Sequence, residues 1–222
     1  MKNTSSRVID LVTRAYPLTQ RDIEAQVSHD LSIYKQKYFQ RHGKAAGKPI
    51  DVDQFVKELW DFSIVFQMIS QEREGIEILG YLKPETRCVV VHEECENQKR
   101  ISFTIAHEAG HLSLHAPMFA IKDGFITGWV RGAREKINDE QREWQANTYA
   151  GMLLAPRDEV ESLLRQHRLL VGNVLKPFDL DEYFSEFEKN FGLSRQALEI
   201  RLHHLKIPAK NLRSVLSFQK TL

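Results

Sequence analysis

Three residues with clear chemical potential are His107, Glu108 and His111, which form the pattern H-E-x-x-H. Side chains four residues apart lie on the same face of an α-helix, so the two histidines can direct their imidazoles toward one point. Such a pair is typical of a Zn²⁺ site. Glu108 projects from nearly the same side. It is suited to take a proton from an attacking water, as the general base of a metalloprotease does.

A second helix is predicted to supply the third zinc ligand. Residues 138–141, with the sequence NDEQ, resemble a capping box that opens a helix ending near Pro156. Glu143 on this helix is the predicted ligand, and Asn147 lies one turn further as a hydrogen-bond partner for a metal-binding histidine. Gly110 in the first helix leaves room for a close neighbour.

His115 is the alternative third ligand, because it lies one turn beyond His111. Metalloproteases with a third histidine place it six residues after the second, where this chain has Pro117. Glu143 is therefore the better candidate. The sequence does not single out the residue that stabilises the oxyanion. The candidates are Tyr149 and His115, followed by His167, Tyr183, His203 and His204.

The elements before the metal helix predict an α+β fold. A helix should begin at Asp51 or Asp53 and run to Trp60. Segments 63–69, 76–82 and 88–92 are rich in strand-forming residues, with a proline turn at 83–86. Three short strands feeding one helix imply a small, mostly antiparallel three-stranded sheet covered by helices.

The flanking segments complete a predicted three-part organisation. Thr19 should cap a helix of about six turns with one apolar stripe, and this N-terminal helical arm occupies residues 1–48. The metallopeptidase core occupies 49–157. Within it, 117–137 is predicted to be a loop at the rim of the site, with glycines and exposed aromatic residues (Gly124, Gly128, Gly132, Phe125 and Trp129). Residues 158–222 are a C-terminal helical, helix-turn-helix-like region.

Charge and composition argue against several classes of protein. The net charge of +1 excludes a dominant nucleic-acid-binding field. The second helix of the helix-turn-helix offers candidate DNA contacts (Arg195, Gln196, Arg201, His203 and His204). The acidic residues around them (Asp179, Asp181, Glu182, Glu186, Glu188 and Glu199) make direct DNA binding unfavoured. The sequence has two cysteines and no long apolar stretch, so we expect a cytoplasmic protein without membrane contact.

Three motifs resemble the ImmA/IrrE family of metallopeptidases: FTIAHEAGHLSLH at 103–115, EWQANTYAGMLLAP at 143–156 and FGLSRQALEIRLHHL at 191–205. The resemblance implies a thermolysin-like minimal zincin core, with zinc held by His107, His111 and Glu143 and with Glu108 catalytic. It also implies that the substrates are helix-turn-helix repressors of prophages, mobile elements or stress responses. Tyr149 departs from the family, which usually has Phe there, and the arm at 1–48 lies outside the resemblance.

The sequence therefore predicts a zinc-dependent endopeptidase that cleaves a DNA-binding repressor. The alternative is a DNA-binding or repressor-sequestering regulator whose zinc site is structural or non-catalytic. A closed site with His115 as a fourth ligand would support that alternative. The substrate, the cleavage site, the oligomeric state and the role of the arm do not follow from the sequence.

Overall fold

A computed structural model of the chain describes residues 18–69, 78–115, 119–122, 125–129 and 138–212. These residues form two compact units. The first contains 18–45 and 52–150, and the second contains 46–51 and 151–212. The three-part organisation expected from the sequence stays a prediction. No helix in the described ranges is long and apolar enough to cross a membrane.

The described helices and strands follow one another along the chain with short connections. The helices are α1 (Gln20–His42), α2 (Val52–Trp60), α3 (Gln98–Gly110), α4 (Asp139–Leu154), α5 (Arg157–Gln166), α6 (Leu180–Phe191) and α7 (Arg195–His204). The strands are β1 (Ser63–Gln67), β2 (Gly80–Lys83), β3 (Cys88–His92), β4 (Phe119–Lys122), β5 (Phe125–Trp129), β6 (Leu170–Val171), β7 (Val174–Leu175), β8 (Phe178–Asp179) and β9 (Ala209–Lys210).

Helix α1 begins and ends where its local sequence predicts. The Thr19 hydroxyl accepts from the Asp22 N–H, and the Asp22 carboxylate accepts from the Thr19 N–H, which completes a capping box. Gly43 ends the helix with a φ of 67°, a conformation that glycine adopts without strain. The apolar stripe is buried in the first unit, so α1 is part of the packed core of that unit.

The three-stranded sheet has the order β1-β3-β2. Strand β2 is antiparallel to β3, as expected, but β1 is parallel to β3, so the sheet is mixed rather than mostly antiparallel. Twelve residues of the sequence, 68–79, separate β1 from β2, and β2 pairs with the other side of β3. The three consecutive buried valines of β3 (Val89, Val90 and Val91) show that this central strand is covered on both faces. Ile76, included in the predicted second strand, lies outside the described residues.

Strand β2 lies directly against α3. A Cβ atom placed on Gly80 would be 2.5 Å from the Thr104 side chain and 2.8 Å from the Val90 carbonyl oxygen. These distances are shorter than real contacts, so only glycine lets this end of β2 approach both the helix and the central strand. Thr104 is one turn before His107, and the edge of the sheet is thereby placed beside the metal helix.

The predicted loop after the metal helix is wrong where the structure describes it. Strands β4 and β5 form an antiparallel hairpin with Phe119 opposite Trp129. The sequence between the two strands is Asp123-Gly124, a pair common in hairpin turns, so a signal for the hairpin was present. The other residues of the segment lie outside the described ranges, and its role as a rim is not tested.

The second unit contains the predicted helix-turn-helix order. Helix α6 ends at Gly192, whose φ is 62°, and the Ser194 hydroxyl accepts from the Ala197 N–H to cap α7. Strands β8 and β9 pair in parallel on either side of this helix pair in the sequence. Arg201 on α7 is buried, and its Nε donates to the Ala155 carbonyl oxygen at 2.8 Å.

Candidate metal centre

The two histidines lie at the C-terminal end of α3, where the α-helix gives way to a π-helical turn. Asn97 caps the start of α3 by accepting from the N–H groups of Lys99 and Arg100. Most apolar residues of α3 (Ile101, Ile105, Ala106 and Ala109) are buried, whereas the His107 and His111 side chains keep 16% and 17% of their surface exposed. From His111 to His115 the chain continues as one π-helical turn, a feature that is frequent at functional sites.

Helix α4 brings Glu143 to these histidines because α3 and α4 are in close contact. Asn138 and Gln141 form the predicted capping box at its start. A Cβ atom on Gly110 would lie 3.0 Å from the Ala146 Cα and 3.1 Å from the Tyr149 Cβ. The absence of a side chain at Gly110 is therefore what permits this approach, as its position in the sequence suggests.

The Nε2 atoms of both histidines and the Glu143 carboxylate converge on one point. The two Nε2 atoms are 3.0 Å apart, and Glu143 oxygens lie 3.2 Å from His107 Nε2 and 3.4 Å from His111 Nε2. A tetrahedral zinc ion with bonds of about 2.0–2.1 Å separates its ligand atoms by roughly 3.3 Å. The distance between the two Nε2 atoms and their distances to the Glu143 carboxylate, each measured to a different oxygen, are close to the edge length of such a tetrahedron. Among the described residues, these three side chains form the group that could hold a metal ion.

Hydrogen bonds behind the histidines fix which ring nitrogen faces the metal position. His107 Nδ1 lies 2.9 Å from Asn147 Oδ1, which can only accept, so the ring proton sits on Nδ1 and Nε2 keeps its lone pair. His111 Nδ1 lies 2.9 Å from His115 Nδ1. His115 Nε2 in turn lies 3.0 Å from the buried Gln145 Oε1. Because Gln145 Oε1 accepts a hydrogen bond from the N–H at His115 Nε2, His115 Nδ1 carries no proton and can accept from His111 Nδ1.

The pKa shifts of His115 and Glu143 agree with this arrangement. Burial, followed by the nearby His111, lowers the pKa of His115 to about 4, so the ring is neutral near pH 7 and can accept a hydrogen bond. The imidazoles of His107 and His111, within hydrogen-bond distance of the Glu143 carboxylate, lower its pKa, so Glu143 is ionised. Burial alone would lower the pKa of His107. The nearby carboxylates of Glu143 and Glu108 raise it by more, so the net shift of the His107 pKa is upward.

Glu108 lies in an environment that raises its proton affinity. Only 6% of its surface is exposed, and burial raises the pKa of its carboxyl group, against the opposing influence of His111 and His107. No hydrogen bond from the described part of the chain reaches its carboxylate. A buried carboxylate with a raised pKa, one residue from a candidate ligand, is suited to accept a proton and release it again.

Two residues expected from the sequence as oxyanion or substrate contacts lie elsewhere. Tyr149 is fully buried, and its hydroxyl donates to Asp30 at 2.7 Å, so it does not reach the open side of the site. His115 is also fully buried, and both of its ring nitrogens are engaged behind His111. The remaining candidates (His167, Tyr183, His203 and His204) belong to the second unit.

The structure adds residues that motif reasoning missed. Gln145 completes the hydrogen bonds behind His111, and Asp30 accepts from Ser113 as well as from Tyr149. Asp30 could have been noticed, since it is a charged residue three positions after Val27 on the apolar stripe of α1. Nothing in the local sequence of Gln145 indicates its role.

Comparison with known proteins identifies the family. The family model described as the IrrE N-terminal-like domain, of the peptidase M78 family, matches residues 61–203, well over half of the chain. A search of curated proteins finds no match. Among solved structures, a Mycobacterium tuberculosis transcriptional regulator is similar at 16% sequence identity with a TM-score of 0.48, and the alignment covers 92% of this chain and 62% of that one. The chain thus spans less than two thirds of that regulator. The resemblance of the motifs to ImmA/IrrE proteins is confirmed, and the chain belongs to the peptidase M78 family, with its IrrE N-terminal-like domain.

Proposed function

We propose that the protein is a zinc-dependent endopeptidase. The observation that carries this proposal is the convergence of His107, His111 and Glu143 on one point, with the buried Glu108 carboxylate beside them. Two imidazole nitrogens and one carboxylate oxygen form the donor set of zinc hydrolases that keep one coordination position open. The spacing of the donor atoms and the lone pairs held on Nε2 support zinc binding by these three residues.

The residues of the chain divide the catalytic work among themselves. His107, His111 and Glu143 hold the metal, and Asn147 and His115 orient the two imidazoles through Nδ1. Zinc, when bound, would polarise the scissile carbonyl group and lower the pKa of the attacking water. Glu108 accepts the proton that this water loses and passes it to the leaving amine, which its raised pKa favours.

The substrate would bind as an extended strand at the edge of the small sheet. We assign this role to β2, because β2 is an edge strand and its Gly80 end packs against Thr104 on the metal helix. An added strand pairs through its main chain, so register is set without sequence-specific pockets. This arrangement would make the first unit a minimal zincin core of the thermolysin type.

The proposed substrate is a DNA-binding repressor, and this part rests on the family resemblance. A repressor is basic, and its linker is an exposed segment that a protease can take as a strand. The acidic residues of α6 would attract such a partner and speed its encounter with the enzyme. The sequence places Glu199 among these acidic residues, but it does not belong to that surface. Its side chain is fully buried and accepts from Arg195 Nε at 2.8 Å.

Contacts in the described ranges weaken the alternative of a DNA-binding regulator with a structural zinc site. His115 lies against Nδ1 of His111, which is the ring nitrogen of His111 that faces away from the metal position. His115 is therefore unsuited to be a fourth ligand. Arg201 is buried, and Arg195 pairs with Asp181 and Glu199. Two of the cations best suited to phosphate contacts are therefore engaged within the second unit.

The test is cleavage of a candidate repressor by the purified, zinc-loaded protein. We expect one or two cuts in the repressor linker, detected by mass spectrometry, that vanish with a chelator. Glu108→Gln should keep zinc and fold but lose cleavage, because only the proton acceptor is removed. Cleavage by this variant at the wild-type rate would refute the mechanism. Tight, salt-sensitive binding to duplex DNA without any cleavage would favour the regulator instead.

A further inference from the structure

Asp30 on α1 is a buried carboxylate that joins the two elements carrying the candidate metal ligands. Its Oδ2 accepts from the Ser113 hydroxyl at 2.5 Å and from the Tyr149 hydroxyl at 2.7 Å, and its Oδ1 accepts from Gln26 Nε2 at 2.9 Å. Asp30 and Ser113 are each 5% exposed, and Tyr149 is fully buried. Ser113 follows His111 by two residues, and Tyr149 lies on α4, the helix of Glu143.

We propose that Asp30 is a positioning residue of the metal centre, which fixes the π-helical turn after His111 relative to the helix that supplies Glu143. This inference rests on the proposed zinc site. It assigns a task to the N-terminal helix, although α1 lies wholly outside residues 61–203, which the family model matches.

The geometry requires such a fixed relation between the two elements. The two Nε2 atoms are 3.0 Å apart and the Glu143 carboxylate approaches them to 3.2 and 3.4 Å, so a shift of α4 by a fraction of an ångström changes the cage that a small ion needs. Contact at Gly110 sets how closely α3 and α4 approach. Apolar packing alone leaves sliding and rotation less restricted than directional hydrogen bonds do. Two hydroxyls, one from each element, that donate to the same Asp30 oxygen remove that freedom.

The hydrogen bonds are strong because water is excluded from them. A carboxylate acceptor gives charge-assisted bonds, and the low dielectric of the interior strengthens them. Burial raises the pKa of Asp30, and the bonds from Ser113, Tyr149 and Gln26 oppose this.

Other contacts hold α1 in the first unit, so the Asp30 carboxylate can be altered without detaching the helix. Lys37 Nζ donates to the Glu58 carbonyl oxygen at 2.7 Å, and Arg41 pairs with the buried Glu58 carboxylate at 2.6 Å. The Tyr34 ring packs edge-on against Phe55, with centroids 5.3 Å apart. Variants at Asp30 should therefore fold with α1 in place.

The test measures zinc affinity, by competition with a chelator, for full-length wild type and for Asp30→Asn, Ser113→Ala and Tyr149→Phe. We expect Asp30→Asn to weaken zinc binding by about 10- to 100-fold, the range found when partners of metal ligands are removed. Ser113→Ala and Tyr149→Phe should show smaller losses in the same direction. Glu24→Gln, which removes a carboxylate elsewhere on α1, is the matched control and should leave the affinity unchanged.

Melting temperatures with and without zinc separate positioning from ordinary stabilisation. If Asp30 positions the ligands, the rise in melting temperature on adding zinc shrinks in the variants, since weaker binding stabilises less. Unchanged zinc affinity in folded Ser113→Ala and Tyr149→Phe would overturn the inference, even if Asp30→Asn did not fold. A wild type that binds no zinc would overturn the proposed function as well, whereas equal binding by wild type and variants overturns this inference alone.

Discussion

At the scale of single residues, the chemistry depends on which histidine nitrogen carries a proton. Neither His107 nor His111 could present Nε2 to a metal ion if its ring proton sat there. Asn147 accepts a hydrogen bond from His107 Nδ1, and His115, held by Gln145, accepts one from His111 Nδ1. These hydrogen bonds keep each ring proton on Nδ1 and leave Nε2 free for the metal. A neutral His115, kept so by burial, is therefore as important to His111 as the amide of Asn147 is to His107.

Zinc titrations of two alanine variants should show a larger loss of zinc affinity for the ligand Glu143 than for His115, which orients His111. Glu143→Ala removes one of three donor atoms, so we expect the larger loss of zinc affinity. His115→Ala removes the acceptor for His111 Nδ1, so we expect a loss of about 10-fold or more. This is greater than the sequence indicates, because the contact with His111 is visible only in the structure. A larger loss in His115→Ala than in Glu143→Ala would contradict the assignment of the third ligand.

At the scale of helices and strands, the contact between α3 and α4 at Gly110 can be tested with one matched substitution. Alanine favours a helix over glycine by about 1 kcal/mol where it meets nothing. Gly151 on α4 has open space around it, so Gly151→Ala should raise the free energy of unfolding. At Gly110 the new Cβ would lie 3.0 Å from the Ala146 Cα and would separate the helices, so Gly110→Ala should cost about 1–3 kcal/mol.

The measurement is urea unfolding of both variants, together with their zinc affinities. Gly110→Ala should also weaken zinc binding, because α4 carries Glu143. Gly151→Ala should leave the affinity as in wild type. Equal stabilisation by the two substitutions would show that the helices do not meet at Gly110.

Elements whose signals are local could be predicted from the sequence, and those that depend on distant residues could not. Asn97, Thr19 and Gly43 cap their helices through contacts within four residues. Strand β3 was predicted with its bounds, since its apolar run is uninterrupted. The parallel pairing of β1 depends instead on where a long connection returns, which composition does not encode.

The same distinction applies to the candidate site. The spacing of His107 and His111 is a property of one helix, and the motif context was enough to select Glu143 on the next. Asp30 and its partners Ser113 and Tyr149 are 83 and 119 positions apart in sequence. A single sequence carries no signal for such a contact, beyond a carboxylate on an otherwise apolar stripe.

At the scale of the whole molecule, stability should depend on pH through the buried Asp30. Burial raises its pKa from the ordinary value of 3.8, against the hydrogen bonds from Ser113, Tyr149 and Gln26. The folded state therefore holds this proton more tightly than the unfolded state does. The resulting stabilisation is fully present below pH 3.8 and is lost as the pH rises through the raised pKa of the folded protein.

The measurement is the free energy of unfolding of wild type minus that of Asp30→Asn, as a function of pH. The difference should fall with rising pH by at most about 1.4 kcal/mol per pH unit and then become constant. Other titrating groups cancel, because they are common to both proteins. A difference that is flat, or that increases with pH, would mean that the pKa of Asp30 is not raised by folding.

The packing of α1 within the first unit also bears on how the gene for this protein can recombine. The recognisable family region begins at residue 61, yet the unit that folds around the metal site includes α1 and α2, which precede it. A gene segment cut at residue 61 and joined to another gene would lose the cover for a buried apolar face and the acceptor for two buried hydroxyls. Recombination that preserves the fold of the first unit must therefore break the gene ahead of Thr19, or replace α1 with a helix that provides the same cover. The segment that has to be transferred together is longer than the region that the family model matches.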